Sequence, residues 1–278
     1  MRAFSQVDVF TDEFLSGNPV AVVHDADDLT TGQMAAFARW TNLSETTFLL
    51  SPTDPAADYR LRIFTTSREL PFAGHPTLGS ARAWLECGGT PKTAGRLVQE
   101  CGAGLVAVRR DGDRLAFAAP PLRRSGPVPP STVDVLAAAL RVEPGDILAA
   151  RWAENGPAWV AVRLASAEAV LALEPDPAAF GEYPDVGVFG PHPPGGEADF
   201  EVRAFVDEDG TFVEDPVTGS LNAAIAQWLI PAAVAPAAYV AAQGTKLHRR
   251  GRVHIERSDG EIWVGGDTVV GITGHVAL

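Results

Sequence analysis

The sequence predicts an α+β protein made of two similar halves, each a set of strands around one buried helix. The first sign is a phrase written twice: Glu69-Leu-Pro71-Phe-Ala-Gly74-His75 recurs about half a chain later as Glu214-Asp-Pro216-Val-Thr-Gly219-Ser220. The second is its setting. Each copy follows a strand-like run holding Arg-x-Phe (Arg62-Ile-Phe64, Arg203-Ala-Phe205) and precedes a small-residue run reaching Trp-Leu (Trp84-Leu85, Trp228-Leu229). The third is a strand pair in each half bent at Asp-Gly, at Asp111-Gly112 and Asp259-Gly260. Such shared order marks an internal duplication. Asymmetric chemistry belongs where the copies differ, at His75 against Ser220 and Ala73 against Thr218.

The first 25 residues read as two strands around a turn at Gly17-Asn18-Pro19, the second being Val20–Val23. Thr30 or Thr31 caps a helix whose apolar face carries Met34, Phe37 and Trp40. Leu43–Leu50 and Tyr59–Thr65 read as strands, alternating at least at their starts. Pro76 suits the first turn of a helix at 76–87, where a missing N–H costs nothing, and the small apolar content of that helix predicts burial. Leu97–Val108 and Arg114–Phe117 are strands joined at Asp111-Gly112.

Residues 119–130 are too proline-rich for regular structure and read as a linker. The second half opens with a helix at 131–140 capped by Ser131 or Thr132, then a strand at Ala158–Leu164 and a Pro- and Gly-rich loop at 184–197. A strand at Arg203–Val206, a buried helix at 219–230 and a hairpin at Arg252–Val264 repeat the first half's order before a last strand at Val269–Val276.

The chain has 278 residues, 46% apolar and 21% charged, enough for a core in each half. A net charge of −13 argues against nucleic acid or an anionic membrane surface as partner, while leaving room for a small anionic substrate in a local positive pocket. The N-terminus alternates as a strand and lacks a signal-peptide core, no apolar run is long enough to span a bilayer, and a cytoplasmic location is the expectation. Two cysteines, Cys87 and Cys101, are too few for a disulfide framework and are expected to be buried apolar residues.

Both repeated phrases place Gly at the start of a helix entering the core. Unpaired N–H groups and the positive end of the dipole bind carboxylate or phosphate there, although a tight turn alone would also use Gly. His75 lies in the first turn of one helix, where the dipole lowers its pKa and favours the neutral imidazole. Asp215 stands at the other entrance, either as a cap or as a carboxylate for a ligand amine or hydroxyl. Glu45 is a carboxylate in a strand-like, otherwise weakly charged run; pointing inward it suits a proton shuttle, pointing outward it is an ordinary strand residue. No His/Cys cluster implies a metal. Gly102-Ala-Gly104 fails as a dinucleotide motif because it leads into a strand. Ser220, His75 and Asp215 lack the G-x-S-x-G elbow of a hydrolase.

Together, Gly17-Asn18-Pro19, Asn42-Leu-Ser44-Glu45-Thr-Thr-Phe48, Glu69 to Ser80, Glu214 to Ser220 and Val264-Gly-Gly266 resemble the PhzF-like phenazine-biosynthesis family over essentially the whole chain. The resemblance implies a diaminopimelate epimerase-like fold: two similar domains, each a curled, mostly antiparallel sheet around a central helix, with the active site in the cleft between them. It divides the chain into 1–119 with the closing strand 267–278, and 120–266. The epimerase's two catalytic cysteines fall at Ala73 and Thr218, so two-thiol racemisation is unsupported.

The family's best-known activity is the cofactor-free isomerisation of trans-2,3-dihydro-3-hydroxyanthranilate. Carried onto this sequence, it makes Glu45 the proton shuttle and has His75 and Asp215 hold and polarise the substrate. Gly74, Gly219 and Ser220 would bind the substrate carboxylate, and Asn18 and Ser44 would line the pocket. A homodimer is the family expectation. The acidic run 207–210 and the only partly family-like run 243–252 are the departures. An epimerase or racemase of an amino or hydroxy acid, and a non-catalytic small-anion binding protein, are the alternatives.

Overall fold

Alternating strands built on Val, Ile and Phe leave two curled sheets, and the computed structural model describes all residues except 182, 184, 209 and 210. The chain divides into two compact units, Met1–Ala118 with Gly265–Leu278, and Ala119–Val264.

In the first unit, Arg2–Val9 pairs antiparallel with both Thr268–Val276 and Asn18–Val23. Asn18–Val23 runs parallel to Glu45–Leu50, which is antiparallel to Tyr59–Phe64. The short strand Glu69–Leu70 hooks back onto Tyr59–Phe64, which in turn lies parallel to Arg96–Cys101. Gly104–Asp111 and Arg114–Ala118 complete the sheet as antiparallel neighbours.

The second unit repeats this order. Ala149–Glu154 is antiparallel to Val160–Arg163, which is parallel to Asp185–Pro191, itself antiparallel to Phe200–Glu208. Thr211–Asp215 hooks back onto Phe200–Glu208, which lies parallel to Ala238–Gln243. Gly251–Ser258 follows antiparallel, and Glu261–Gly266 turns from it at Asp259-Gly260, both in the left-handed region. Among the described residues, seven strand pairings recur with the same sense in the same order and make the duplication explicit, Arg124–Pro127 pairing with Ala149–Glu154 as Thr268–Val276 does with Arg2–Val9.

Helices α1 (Thr31–Thr41), α2 (Gly74–Glu86), α3 (Pro130–Leu140), α4 (Ala167–Leu171) and α5 (Gly219–Leu229) fill these frames. α1 and α4 are the crossovers that the parallel pairs require. α2 touches strands from one end of its sheet to the other, Arg2–Val9 through Arg114–Ala118, so that sheet curls around it. Small residues permit this: a Cβ on Gly79 would sit 2.3 Å from Val20 Cγ1. In the second unit a Cβ on Gly187 would meet Leu221 of α5 at the same 2.3 Å. α1 instead packs Met34 and Phe37 onto the outer face, with Phe48 and Phe64.

Several expectations need correcting. The linker 119–130 contains the strand Arg124–Pro127, an edge position that tolerates proline's missing N–H. The loop 184–197 is largely the strand Asp185–Pro191, with Pro184 outside the described residues. Its two glycines mark tight packing: Gly187 lies against α5, and a Cβ on Gly190 would meet the Ser166 carbonyl at 2.4 Å. The run 97–108 breaks into Arg96–Cys101 and Gly104–Asp111 around a tight turn. The next turn falls one residue later than expected, at Gly112-Asp113, since Asp111 pairs with Arg114.

The helix expected at 76–87 starts at Gly74, and α3 starts at Pro130, after Pro129 and without a side-chain cap. Thr30 does cap α1, as a capping box with Gln33. Trp40 leaves the apolar face, 79% exposed and stacked on Phe37. Cys87 is exposed and Cys101 half-buried, so neither is a core residue. The acidic run 207–210 ends on two residues, Asp209 and Gly210, outside the described residues.

Candidate functional site

The two copies of the phrase are anchored alike. Arg62 and Glu69 join through paired hydrogen bonds of 2.7 Å each, and Arg203 and Glu214 through bonds of 3.0 and 2.8 Å. Each guanidinium also lies over the Phe two residues on, 5.1 Å from the Phe64 ring and 5.0 Å from the Phe205 ring. The repeated Arg-x-Phe and Glu are thus one device used twice. It clamps the hooked strand before each helix entrance, and bidentate pairing fixes direction as well as distance.

At the first entrance, Ala73 is the N-cap of α2 and has no side chain to cap it. Gly74 and His75 are buried in the first turn, where N–H groups lack intrahelical partners. His75 Nε2 lies 3.3 Å from Glu45 Oε2, with side-chain exposures of 7% and 14%. The distance is that of an ion pair, but the angle is not that of a hydrogen bond, so the groups are adjacent without being aligned.

Burial pushes the His75 imidazole down to about 3, keeping it neutral. The expected direction holds, but burial is its cause, where the helix dipole was the expected one. Glu45 opens its strand opposite Val20. That strand is tied to α2 by Thr47: its hydroxyl donates to the Ala21 carbonyl at 3.2 Å, so the Ser80 hydroxyl, 2.8 Å away, donates to Thr47. Glu45 and His75 are therefore held on elements bolted together one turn deeper. Ser44 precedes the strand, half-buried, and Asn18 is fully buried opposite Val9.

In the second unit, Thr218 is the N-cap of α5 and does not cap it through its side chain. Its hydroxyl donates to Asp215 instead. Gly219 is buried. The Ser220 hydroxyl accepts from the Trp159 indole N–H at 3.0 Å, while its carbonyl accepts from Asn155 Nδ2 at 2.8 Å. Ser220 is thus fixed in place with its own proton available to donate. The structure brings together Glu45, His75 and Gly74 in one unit, and Asp215, Gly219 and Ser220 in the other. Sequence reasoning missed Trp159, Asn155, Asn222 and Gln243. Only Gln243 left a trace, as a polar residue ending the apolar run Tyr239–Ala242. Among the described residues, no group of three or more His, Cys, Asp or Glu side chains is arranged to hold a metal ion.

Curled sheets around uncapped helix entrances, with a buried His–carboxylate contact, define an epimerase-like isomerase class. The chain belongs to the PhzC-PhzF family of phenazine biosynthesis-like proteins, which it matches over residues 7–277. It is 39% identical over 229 residues to trans-2,3-dihydro-3-hydroxyanthranilate isomerase of Pseudomonas aeruginosa, covering 79% of this chain and 77% of that one. It is 36% identical over 299 residues to antisense-enhancing sequence 1 of Schizosaccharomyces pombe, with 98% of each chain covered.

Among solved structures, a PhzF family protein of Enterococcus faecalis matches with a TM-score of 0.82 at 26% identity, over 100% of this chain and 99% of that one. A predicted epimerase of Pseudomonas aeruginosa matches with 0.79 at 26% identity, over the whole of both chains. The predicted α+β, epimerase-like fold is therefore the observed one, and the protein is an enzyme of the isomerase class. No helix among the described residues is long and apolar enough to cross a membrane.

Proposed function

We propose that the protein is a cofactor-independent isomerase that moves a proton within a small carboxylate-bearing substrate, of the type its Pseudomonas aeruginosa relative is named for. The observation that carries this reading is the buried contact between Glu45 and His75. A protonated imidazole at 3.3 Å would hold Glu45 as an ion pair. Burial keeps His75 neutral, which leaves the carboxylate able to take a proton and give it back.

In this reading the α2 entrance at Gly74, and the α5 entrance at Gly219 with the Ser220 hydroxyl, each offer hydrogen-bond donors suited to a substrate carboxylate. Asp215 accepts from the substrate's amine or hydroxyl. Glu45 removes a proton from one ring carbon, and the negative charge that develops spreads through the conjugated system toward the carboxylate and the helix ends. Glu45, now protonated, returns the proton to a second carbon. The double bonds shift, nothing is oxidised or reduced, and Glu45 ends as it began. Asn18 and Ser44 line the pocket near Glu45.

The test is proton NMR in deuterium oxide with trans-2,3-dihydro-3-hydroxyanthranilate and a panel of amino and hydroxy acids. The reading expects deuterium at a ring carbon together with a shifted double bond. The likeness to a predicted epimerase favours a second reading, for which exchange comes with inversion at one stereocentre. Tight binding of an acid without any exchange contradicts both.

A further inference from the structure

The proposed reaction leaves the buried amide of Gln243 without a task, yet its hydrogen bonds decide what Thr218 does. Gln243 ends the strand Ala238–Gln243 and is wholly out of solvent. Its Oε1 meets the backbone N–H of Thr218 at 3.0 Å, and its Nε2 meets the carbonyl oxygen of Asp215 at 3.1 Å. A backbone N–H can only donate and a carbonyl only accept, so the amide has a single orientation. Nε2 also donates to Thr218 Oγ1 at 2.9 Å, and Oε1 also accepts from Asn222 Nδ2 at 2.9 Å. Both amide protons and both lone pairs are then in use. Having accepted from Gln243, Thr218 Oγ1 directs its one proton to the Asp215 carboxylate.

We propose that Gln243 and Thr218 are positioning residues, a relay that fixes Asp215 as a hydrogen-bond acceptor for the substrate. This rests on the reading in which Asp215 holds the substrate. The duplication shows that the relay is specific to the second half. Val202, one residue before Arg203, pairs with Gln243. Leu61, one residue before Arg62, falls opposite Cys101 when the register of Tyr59 with Gln99 and Arg60 with Glu100 is continued by one. Cys101 thus occupies the place of Gln243, and Ala73 the place of Thr218. Ala73 has no hydroxyl to pass a hydrogen bond on, and the Cys101 thiol donates to the Gly104 carbonyl instead. The half that lacks the relay supplies Glu45, which exchanges protons. The half that has it supplies Asp215, whose oxygen already accepts a hydrogen bond from Thr218 Oγ1. Carboxylates kept in different environments take different roles in one reaction.

The test compares Thr218→Val, Thr218→Ser, Gln243→Glu and the double variant Thr218→Val/Gln243→Glu in the full chain. Gln243→Glu keeps the side chain's shape and its acceptor while deleting both donors. The relay predicts that kcat/KM falls about tenfold or more in Thr218→Val and in Gln243→Glu. It predicts that Thr218→Ser restores most of it, and that the double variant is no worse than Thr218→Val alone. Independently of turnover, proton NMR of the unliganded protein should show a slowly exchanging Thr218 hydroxyl, lost in Gln243→Glu. A folded Thr218→Val with wild-type kcat/KM overturns the relay, as does a double loss equal to the product of the singles or a hydroxyl signal unaffected by Gln243→Glu. Loss of the functional reading appears elsewhere, in a Glu45→Gln variant of unchanged rate, while the hydroxyl signal judges the relay alone.

Discussion

His75 Nε2 stands 3.3 Å from the Glu45 carboxylate, and the imidazole stays neutral down to about pH 3 because it is buried. That depression has a cost for the fold. In the unfolded chain the same imidazole takes up a proton near its ordinary value of 6.5. Between about 6.5 and 3 the unfolded state therefore binds the extra proton, so stability is full above 6.5 and is lost as pH falls through that window. Denaturant titrations at pH 7 and pH 5 should show a loss approaching about 1 kcal/mol per pH unit that His75→Gln does not share. His24 is also lowered by burial, and it contributes equally to both proteins. Equal pH slopes in the two would contradict the neutral, buried His75.

The duplicated Arg–Glu clamps differ in burial, and their removal should differ in cost. The Arg203–Glu214 side chains are 5% and 11% exposed, and Arg203 also donates to the carbonyls of Val170 and Leu173 at the end of α4. Arg62 and Glu69 are 25% and 38% exposed. Glu214→Ala, which strands a buried guanidinium, is predicted to cost about 3 kcal/mol in a denaturant titration. Glu69→Ala should cost about 1 kcal/mol or less. Equal losses would mean that burial does not set the worth of these clamps.

Gly79 lets α2 press against its sheet, since a Cβ there would lie 2.3 Å from Val20 Cγ1 and 3.0 Å from Val9 Cγ2. Gly79→Ala should therefore cost about 2 kcal/mol, despite alanine's better helix propensity, and displace the helix that carries His75. A stabilised variant would show that the helix has room it is not seen to have.

Thiols have no part in the proposed chemistry. Cys87 is pushed up by partial burial and by Asp25 and Glu86, and Cys101 by burial, so both resist ionisation. Cys87→Ser/Cys101→Ser should exchange protons at the wild-type rate, and iodoacetamide should leave that rate unchanged. A hundredfold loss in the double variant would bring thiol chemistry back.

How far the sequence disclosed this site depended on whether a signal was local or cooperative. The twin phrases were legible because helix entrances use short, ordered residue sets, and the bounds of α5 and of the hairpin at Asp259-Gly260 followed from them. Arg124–Pro127 and Asp185–Pro191 were not legible, because each is a strand only through its partner, and proline or glycine masks the pattern locally. The short α4 was missed because only the parallel pairing it bridges calls for it. Trp40 shows the reverse error: helical spacing assigned it to the apolar face, but its ring stacks on Phe37 and stays exposed to solvent. In the site, Glu45 and His75 were visible as residue types, whereas the Gln243–Thr218–Asp215 chain depends on residues 28 positions apart.

The most direct measurement is the rate of solvent-deuterium incorporation into trans-2,3-dihydro-3-hydroxyanthranilate by wild type and by Glu45→Gln, followed by proton NMR. Glutamine keeps the shape and burial of the side chain but cannot carry the proton. The account predicts ring-carbon exchange in the wild type and a loss of about a hundredfold or more in the variant. A Glu45→Gln protein that exchanges the ring proton at the wild-type rate would contradict it.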